Sequence, residues 1–219
     1  MTPSGVFFRS ENVDAATAEG WEQIYAAGIR TVVDLRQPGE RARDVRPRPA
    51  WLTTRQVDLD GLENREFWKD FWGNGFEGTA LYYLPYLSAM PERAGAALTA
   101  IVDAPTGGVL FHCSAGRDRT GLIAMLLLMA IHTEPDAIVA DYLETVRLGK
   151  ARAKASHLEN MEPRLEEFCR TQGTTTEGAF RAALEGLNFS RWMTHAGMGA
   201  SARRALMSWR GSVVAGPTP

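Results

Sequence analysis

Cys113 and Arg119 stand in one short segment, separated by five residues that include Gly116. The apolar run at 109–111 precedes the cysteine and predicts a buried strand, and a long apolar helical pattern begins near Arg119. A strand, a tight loop and a helix in this order direct backbone N–H groups and the positive end of the helix dipole into one small bowl. The sequence therefore predicts a loop that binds a tetrahedral oxyanion, with Cys113 at its base.

The side chains of this loop predict phosphoryl transfer. A helix N-terminus and nearby arginines stabilise a thiolate, which can attack phosphorus in line with the leaving oxygen. Arg119 offers a planar fork of donors for two phosphoryl oxygens, and Gly116 allows the backbone turn that points amides inward. We expect Thr120 to donate its hydroxyl to the sulfur when the sulfur leaves. His112 precedes the turn, so we interpret it as a residue that orders the loop.

Residues 112–121 read His-Cys-Ser-Ala-Gly-Arg-Asp-Arg-Thr-Gly. This string resembles the phosphate-binding loop of cysteine-dependent protein tyrosine phosphatases. It is most similar to the bacterial tyrosine, dual-specificity or lipid phosphatases whose loop reads His-Cys-x-x-Gly-Lys-Asp-Arg-Thr-Gly. The likeness extends to residues 8–10, 28–36 and 141–143, and covers about residues 5–190. The resemblance implies a hydrolase of phosphomonoesters that forms a phosphocysteine at Cys113 and needs neither metal nor cofactor.

The resemblance also implies which residues bind the phosphoryl group. Arg117 departs from the usual Lys of the family loop, and Ser114 stands where inositol-lipid phosphatases often have Lys. The loss of that second cation weakens the case for polyphosphoinositides, so phosphorylated protein, phosphotyrosine above all, is the first expected substrate and a phosphoinositide is the alternative. The implied phosphate-binding residues are Ser114, Ala115, Gly116, Arg117, Asp118 and Arg119.

The leaving oxygen needs a proton, and a positioned carboxyl is the usual donor. Asp118 lies inside the loop, and in the resembled subgroup this position is thought to be the general acid. Many other tyrosine phosphatases supply an Asp from a separate loop that precedes the cysteine, and Asp58 and Asp60 are the candidates for that arrangement. Asp118 could instead form an ion pair or cap the following helix. We rank Asp118 ahead of the other two.

Three other interpretations compete with a phosphatase. An isolated cysteine is often a small buried apolar residue, but the polar neighbours of Cys113 disfavour an inert thiol. A sulfurtransferase also uses a cysteine loop, although the ending at residues 118–121 fits it poorly. A non-catalytic module that binds phosphorylated ligands could use the same fold, although every residue needed for turnover is present.

Composition limits the remaining possibilities. A chain of 219 residues with 45% hydrophobic content fits one domain with a sizeable core, and a net charge of −2 gives no reason to expect nucleic acid as a partner. The longest apolar stretch, 122–131, is too short to span a membrane, and no signal peptide is evident. The four histidines are scattered, so no metal site is expected. Oligomeric state is not predictable from these features.

Only two cysteines occur, Cys113 and Cys169, which is too few for a disulfide framework. This usage favours a reducing compartment and a cytoplasmic location. Cys169 could trap an oxidised Cys113 as a reversible disulfide, but a structural residue is the simpler interpretation.

Alternating strand and helix patterns predict an α/β fold, with a mostly parallel central sheet flanked by helices and the phosphate loop between a central strand and a buried helix. We expect residues 37–50 to form an exposed loop, and Arg36 and Glu40 could pair as a clamp that holds the strand exit near the phosphate loop. The predicted strands are 5–8, 31–35, 54–59 and 109–112, and the predicted helices are 15–27, 81–102, 133–148, 152–171 and 176–187.

Two segments lie outside this pattern. Residues 61–78 carry five aromatic side chains that share a helical face, which predicts either a helix docked on the core or a lid or wall above the phosphate loop. Residues 191–219 contain four arginines and no acidic residue. We expect a catalytic domain over 1–190 and a basic C-terminal extension over 191–219, most simply a solvated terminus.

Overall fold

A computed structural model describes residues 3–44 and 46–212. Within those residues the sheet has four parallel strands in the order β1-β4-β2-β3. Every residue of the central strand β4 is buried, because its apolar run is covered on both faces. The predicted α/β fold with a parallel sheet is confirmed. The strands are β1 (Phe7–Ser10), β2 (Ile29–Asp34), β3 (Thr53–Gln56) and β4 (Gly108–His112).

Helices cover both faces of the sheet and follow the strands along the chain. Short polar caps start several of them; the Thr17 hydroxyl, for example, accepts the Gly20 N–H at the start of α1. A 3₁₀ turn, Ala80–Tyr82, precedes α4. The helices are α1 (Ala18–Ala26), α2 (Pro38–Arg41), α3 (Arg65–Phe71), α4 (Tyr83–Ala89), α5 (Pro91–Val102), α6 (Asp118–Ala130), α7 (Pro135–Ala155), α8 (Glu162–Thr171), α9 (Thr176–Gly186), α10 (Phe189–His195) and α11 (Ala200–Met207).

The main core lies around α6, the helix that follows the phosphate loop. Nine of its residues are buried, and its neighbours include α5, α7, α10 and α11. The opposite face of the sheet has a smaller core, in which Val32 and Leu110 pack against Trp21 and Ile24 of α1. A helix that is apolar on nearly all sides is stable only inside such a core. The buried helix α6 therefore gives the loop, which leads into its first turn, a fixed support.

Three predicted segments differ from the structure by more than a few residues at an end. The helix predicted over 81–102 is two helices, because Pro91 has no N–H to continue α4 and instead starts α5. The helix predicted over 152–171 begins at Glu162, since α7 continues to Ala155. Part of the loop predicted over 37–50 is the short helix α2, which a capping box between Gln37 and Glu40 supports.

The chain after residue 190 does not form a solvated terminus over its described part. Trp192 and Met193 of α10 and Leu206 of α11 are buried in the main core. The arginines hid this pattern, because Arg191 and Arg204 occupy the exposed sides of α10 and α11, whose apolar residues face inward. The last part of the predicted extension, 213–219, lies outside the described residues.

Among the helices that the structure describes, none combines the length and the apolar character needed to cross a bilayer.

Candidate active site

The phosphate loop runs from Cys113 to Arg117, between the end of β4 and the start of α6. Gly116 has a φ of +66°, and a Cβ at this position would lie 2.4 Å from the carbonyl oxygen of Ser10. Only glycine fits this turn, because another side chain would be strained and would collide with the backbone after β1. The close approach of Gly116 to the Ser10 backbone therefore explains why the loop has glycine at this position.

The chain around β1 anchors the loop from one side. The backbone N–H and the side-chain amide of Asn12 both donate to the carbonyl oxygen of Ser114 at 3.0 Å. Arg9 donates to the carbonyl oxygen of Gly116 at 3.2 Å and forms an ion pair with Asp141 of α7 at 2.6 Å. These bonds occupy loop carbonyls on the outside, which leaves the loop N–H groups for an anion on the inside.

Cys113 lies on the floor of a cavity of about 710 Å³ and is 2% exposed. The Nδ1 atom of the preceding His112 lies 2.8 Å from the Cys113 carbonyl oxygen, so this nitrogen carries the proton and donates it. Burial lowers the pKa of His112. The hydroxyl of Thr120 is buried and forms no hydrogen bond within the described residues, so the expected bond to sulfur is not present in this structure.

Arg119 is held by two carboxylates. Its Nη1 and Nη2 atoms donate to the two oxygens of Glu40 at 2.6 and 2.9 Å, and Nη1 also donates to Asp60 at 2.7 Å. Ser114 donates its hydroxyl to Glu40 at 2.5 Å. Burial alone would raise the pKa of Glu40, but the bonds and charge of Arg119 lower it to about 2. Glu40 is therefore ionised at neutral pH and fixes the plane of the guanidinium.

Two of the three candidate acids line the cavity. Burial raises the pKa of Asp60 to about 7, against the opposing charge of Arg119. Burial also raises the pKa of Asp118, whose oxygens accept the Gly78 N–H at 3.0 Å and the Tyr82 hydroxyl at 2.9 Å. Both carboxyls thus hold a proton at a higher pH than an exposed aspartate does, which is what a proton donor requires.

The third candidate, Asp58, faces elsewhere. Its Oδ1 atom accepts the N–H groups of Asp60 and Gly61, and its Oδ2 atom lies 3.7 Å from Arg93. It stabilises the turn that carries Asp60 and is absent from the cavity lining. The structure thus brings Asp60 and Asp118 to Cys113 but not Asp58.

Arg117 lines the same cavity, but its side chain is held by α8. Its Nε atom donates to both oxygens of Glu162 at 2.8 and 3.1 Å, and its side chain is 4% exposed. The side chain of Arg117 therefore joins the loop to α8. Binding of phosphate by residues 114–119 stays a prediction.

The predicted pairing of Arg36 with Glu40 is wrong. Arg36 binds Asp34 and Asp14, at 2.8 and 2.5 Å, at the end of β2, whereas Glu40 binds Arg119. Arg36 therefore stabilises the strand end, and the short helix α2 carries Glu40 toward the loop.

Aromatic and apolar side chains form the cavity walls. In the segment 61–78, Trp68 and Trp72 line the cavity, and the Trp68 indole donates to the carbonyl oxygen of Asp60 at 2.8 Å. Leu158 and Met161 stand on the opposite, α7–α8 side and are 72% and 40% exposed. Helix α3 is thus docked on the core and also contributes to a wall. Sequence reasoning missed the apolar side at 156–165, because it placed these residues within one helix over 152–171, whereas α7 ends at Ala155 and α8 begins at Glu162.

A comparison with protein-family models decides the family. The model described as the tyrosine phosphatase family matches residues 1–209. The chain belongs to the tyrosine phosphatase family. This confirms the resemblance first drawn from residues 112–121, and it extends the shared region through α10 and α11.

Curated members of the tyrosine phosphatase family resemble this chain at low identity. A protein of Cupriavidus necator that its name assigns provisionally to the tyrosine-protein phosphatases is 31% identical over 150 residues, or 64% of this chain and 53% of the relative. The tyrosine-protein phosphatase of Nostoc commune is 28% identical, over 64% and 48%. The triple specificity protein phosphatase PtpB of Mycobacterium tuberculosis is 30% identical, over 64% and 61%. The matched region thus spans about half to three fifths of these relatives.

Proposed function

We propose that this chain hydrolyses phosphomonoesters of proteins, phosphotyrosine first, through a phosphocysteine at Cys113. One observation carries the proposal: Cys113 is at the floor of a deep cavity, beside an Arg119 whose guanidinium Glu40 already fixes. Fixed donors around a developing charge stabilise a transition state more than mobile ones do. The names of the relatives, tyrosine-protein and triple specificity protein phosphatases, support the same class of substrate.

The reaction takes two displacements at phosphorus. The thiolate of Cys113 attacks, the bond between phosphorus and the ester oxygen breaks, and an aspartic acid gives its proton to the leaving oxygen. Water then attacks the phosphocysteine, the aspartate accepts a proton from that water, and the phosphorus–sulfur bond breaks to return the thiolate. Arg119 and the loop N–H groups stabilise the equatorial oxygens in both steps.

We assign the proton donor to Asp118 and the orientation of Arg119 to Asp60. Both partners of the Asp118 carboxyl, the Gly78 N–H and the Tyr82 hydroxyl, are neutral. One oxygen of Asp60 is instead bound to the cationic Arg119, which fits a residue that positions the guanidinium. The acid and the positioning residue thus differ in the charge of their neighbours.

A phosphoinositide is the less favoured substrate. The cavity lining includes Glu11, Glu77 and Glu159, and these carboxylates repel a headgroup with several phosphates. The aromatic wall at Trp68 and Trp72 suits the ring of a phosphotyrosine. The segment 61–78 serves as this wall in the proposal. Two free thiols fit a reducing compartment, so the proposal includes a cytoplasmic location.

Replacement of the nucleophile tests the proposal. Cys113→Ser should abolish hydrolysis of an aryl phosphate and of a phosphotyrosine peptide, because the hydroxyl is a far weaker nucleophile in this loop. Binding of inorganic phosphate should persist, since the loop remains. Cys169→Ser is the matched control, because Cys169 is buried in α8 and outside the cavity lining. Turnover retained by Cys113→Ser, or a requirement for added divalent metal, would rule the mechanism out.

Comparison of two leaving groups tests the acid. Asp118→Asn should slow an alkyl phosphate by roughly 100-fold more than a nitrophenyl phosphate, since only the poor leaving group needs a proton. Asp60→Asn should slow both by a similar factor, because it loosens Arg119. Steady-state kcat/KM on both substrates checks this. The opposite pattern would transfer the role of acid to Asp60.

A further inference from the structure

Glu162 is a largely buried carboxylate in the cavity lining for which the chemistry above has no role. It is the first residue of α8 and binds the Nε atom of Arg117 with both oxygens, at 2.8 and 3.1 Å. The two side chains are 11% and 4% exposed. An ion pair with so little exposed surface is weakly screened, and loss of one partner leaves the other charge largely buried and uncompensated. The pair therefore holds Arg117 in one place.

Helices α7 and α9 complete the surroundings of this pair. The Arg117 guanidinium lies 5.6 Å from the centre of the Tyr142 ring, which stacks on Phe180 at 4.1 Å. Arg152 also approaches Glu162, at 3.4 Å. The aromatic stack forms one side of a socket for Arg117, and Glu162 supplies the negative charge in it.

Gly149 of α7 leaves the space that Glu162 occupies. A Cβ on Gly149 would lie 2.5 Å from Cγ of Glu162 and 2.8 Å from its Oε1. Glycine in the middle of a helix is costly relative to alanine, by roughly 1 kcal/mol. Its presence here has a local reason, since any larger residue would displace the carboxylate from Arg117.

Arg117 connects this socket to the reacting loop. It is the N-cap residue of α6, and its carbonyl oxygen accepts the Gly121 N–H at 2.9 Å. It lies between Gly116, which makes the turn, and Asp118, the proposed acid. We therefore expect that displacement of its side chain shifts the backbone that presents N–H groups to the anion.

We propose that Glu162 is a positioning residue, which holds the phosphate loop in its anion-binding shape through Arg117. This inference rests on the proposed hydrolysis at Cys113. It also links the loop to the wall beside it, because Met161 and Leu165 of that wall belong to the same start of α8. A substrate that contacts this wall would then affect the shape of the loop through the carboxylate of Glu162.

The variant Glu162→Gln keeps the size of the side chain and removes its charge. We expect kcat for an aryl phosphate to fall by roughly tenfold or more with a smaller change in KM, since a displaced loop loses transition-state contacts first. Affinity for orthovanadate, which resembles the transition state, should fall by a similar factor, and affinity for inorganic phosphate should change less. Arg117→Lys should retain more activity than Arg117→Met, because it keeps the cation.

The control is Glu167→Gln, on the same helix. Glu167 pairs with Arg170 on the exposed face of α8, where both side chains are more than half exposed. This variant should match the wild type in every measurement. A second variant, Gly149→Ala, keeps all charges and only displaces Glu162, so it should reproduce the losses of Glu162→Gln even if that protein folds poorly.

The outcomes separate this inference from the proposed function. Suppose that the wild type hydrolyses aryl phosphate and that Glu162→Gln and Gly149→Ala leave kcat and orthovanadate affinity unchanged. This result overturns the inference but not the proposed function. A wild type that hydrolyses nothing overturns the proposed function. In that case the orthovanadate affinities of the same variants still decide whether Glu162 shapes the loop. Parallel loss of kcat and of orthovanadate affinity, in variants that thermal unfolding shows to be folded, supports the inference.

Discussion

At the scale of single residues, the site depends on carboxylates that face one guanidinium. Glu40 and Asp60 both bind Arg119, yet their pKa values move in opposite directions, to about 2 and about 7. Glu40 makes two bonds to Arg119 and one to Ser114, and these outweigh its burial. Asp60 is more deeply buried and has further carboxylates near it, so burial prevails. One arginine thus has a permanently ionised partner and a titrating one.

This difference predicts how stability depends on pH. The pKa of Asp60 rises from 3.8 to about 7 on folding, so its contribution is fully present below 3.8 and is lost as the pH rises through 7. Between about pH 4 and pH 8, the wild type should lose roughly 3 kcal/mol of unfolding free energy relative to Asp60→Asn. Urea unfolding at both pH values measures it, with the exposed Glu66→Gln as control. Parallel profiles for wild type and Asp60→Asn would contradict the assignment.

At the scale of elements, the sequence predicts the part of the site whose residues lie close together along the chain. An apolar run, a cysteine, a glycine and an arginine within eleven residues predict β4, the loop and the start of α6, because residues close in sequence favour this order of strand, turn and helix. The partners of the loop come from far along the chain: Glu40 lies 79 residues from Arg119, and Glu162 lies 45 from Arg117. No periodicity relates such residues, so their pairing could not be predicted.

The turn at Gly116 makes the geometry of this element testable. Gly116→Ala places a Cβ 2.4 Å from the Ser10 carbonyl oxygen at a φ of +66°, so the loop must move. We expect kcat/KM for an aryl phosphate and affinity for orthovanadate to fall by roughly 100-fold. Gly173→Ala is the matched control: its φ is +76°, but nothing lies within 4 Å of the added carbon. Equal activity of the two variants would show that the close contact is unimportant.

At the scale of the whole molecule, the parallel sheet with helices on both faces could be predicted from sequence, and the C-terminal packing could not. Parallel strands separated by helices require crossovers, which place the helices on both faces. The arginines of 191–212 suggested a solvated end, whereas Trp192, Leu206 and Trp209 fill the core beside α5 and α6. The buried helix α6 therefore depends on residues from both ends of the described chain, and through it so does the loop.

The most direct test of the central claim is to detect the phosphocysteine itself. Rapid acid quenching during turnover of an aryl phosphate, followed by peptide mass spectrometry, should find one added phosphoryl group on the peptide that contains Cys113. The adduct should accumulate in Asp118→Asn if the acid also activates the attacking water. Turnover without any phosphoryl adduct on Cys113, or with the adduct on another residue, would contradict the account.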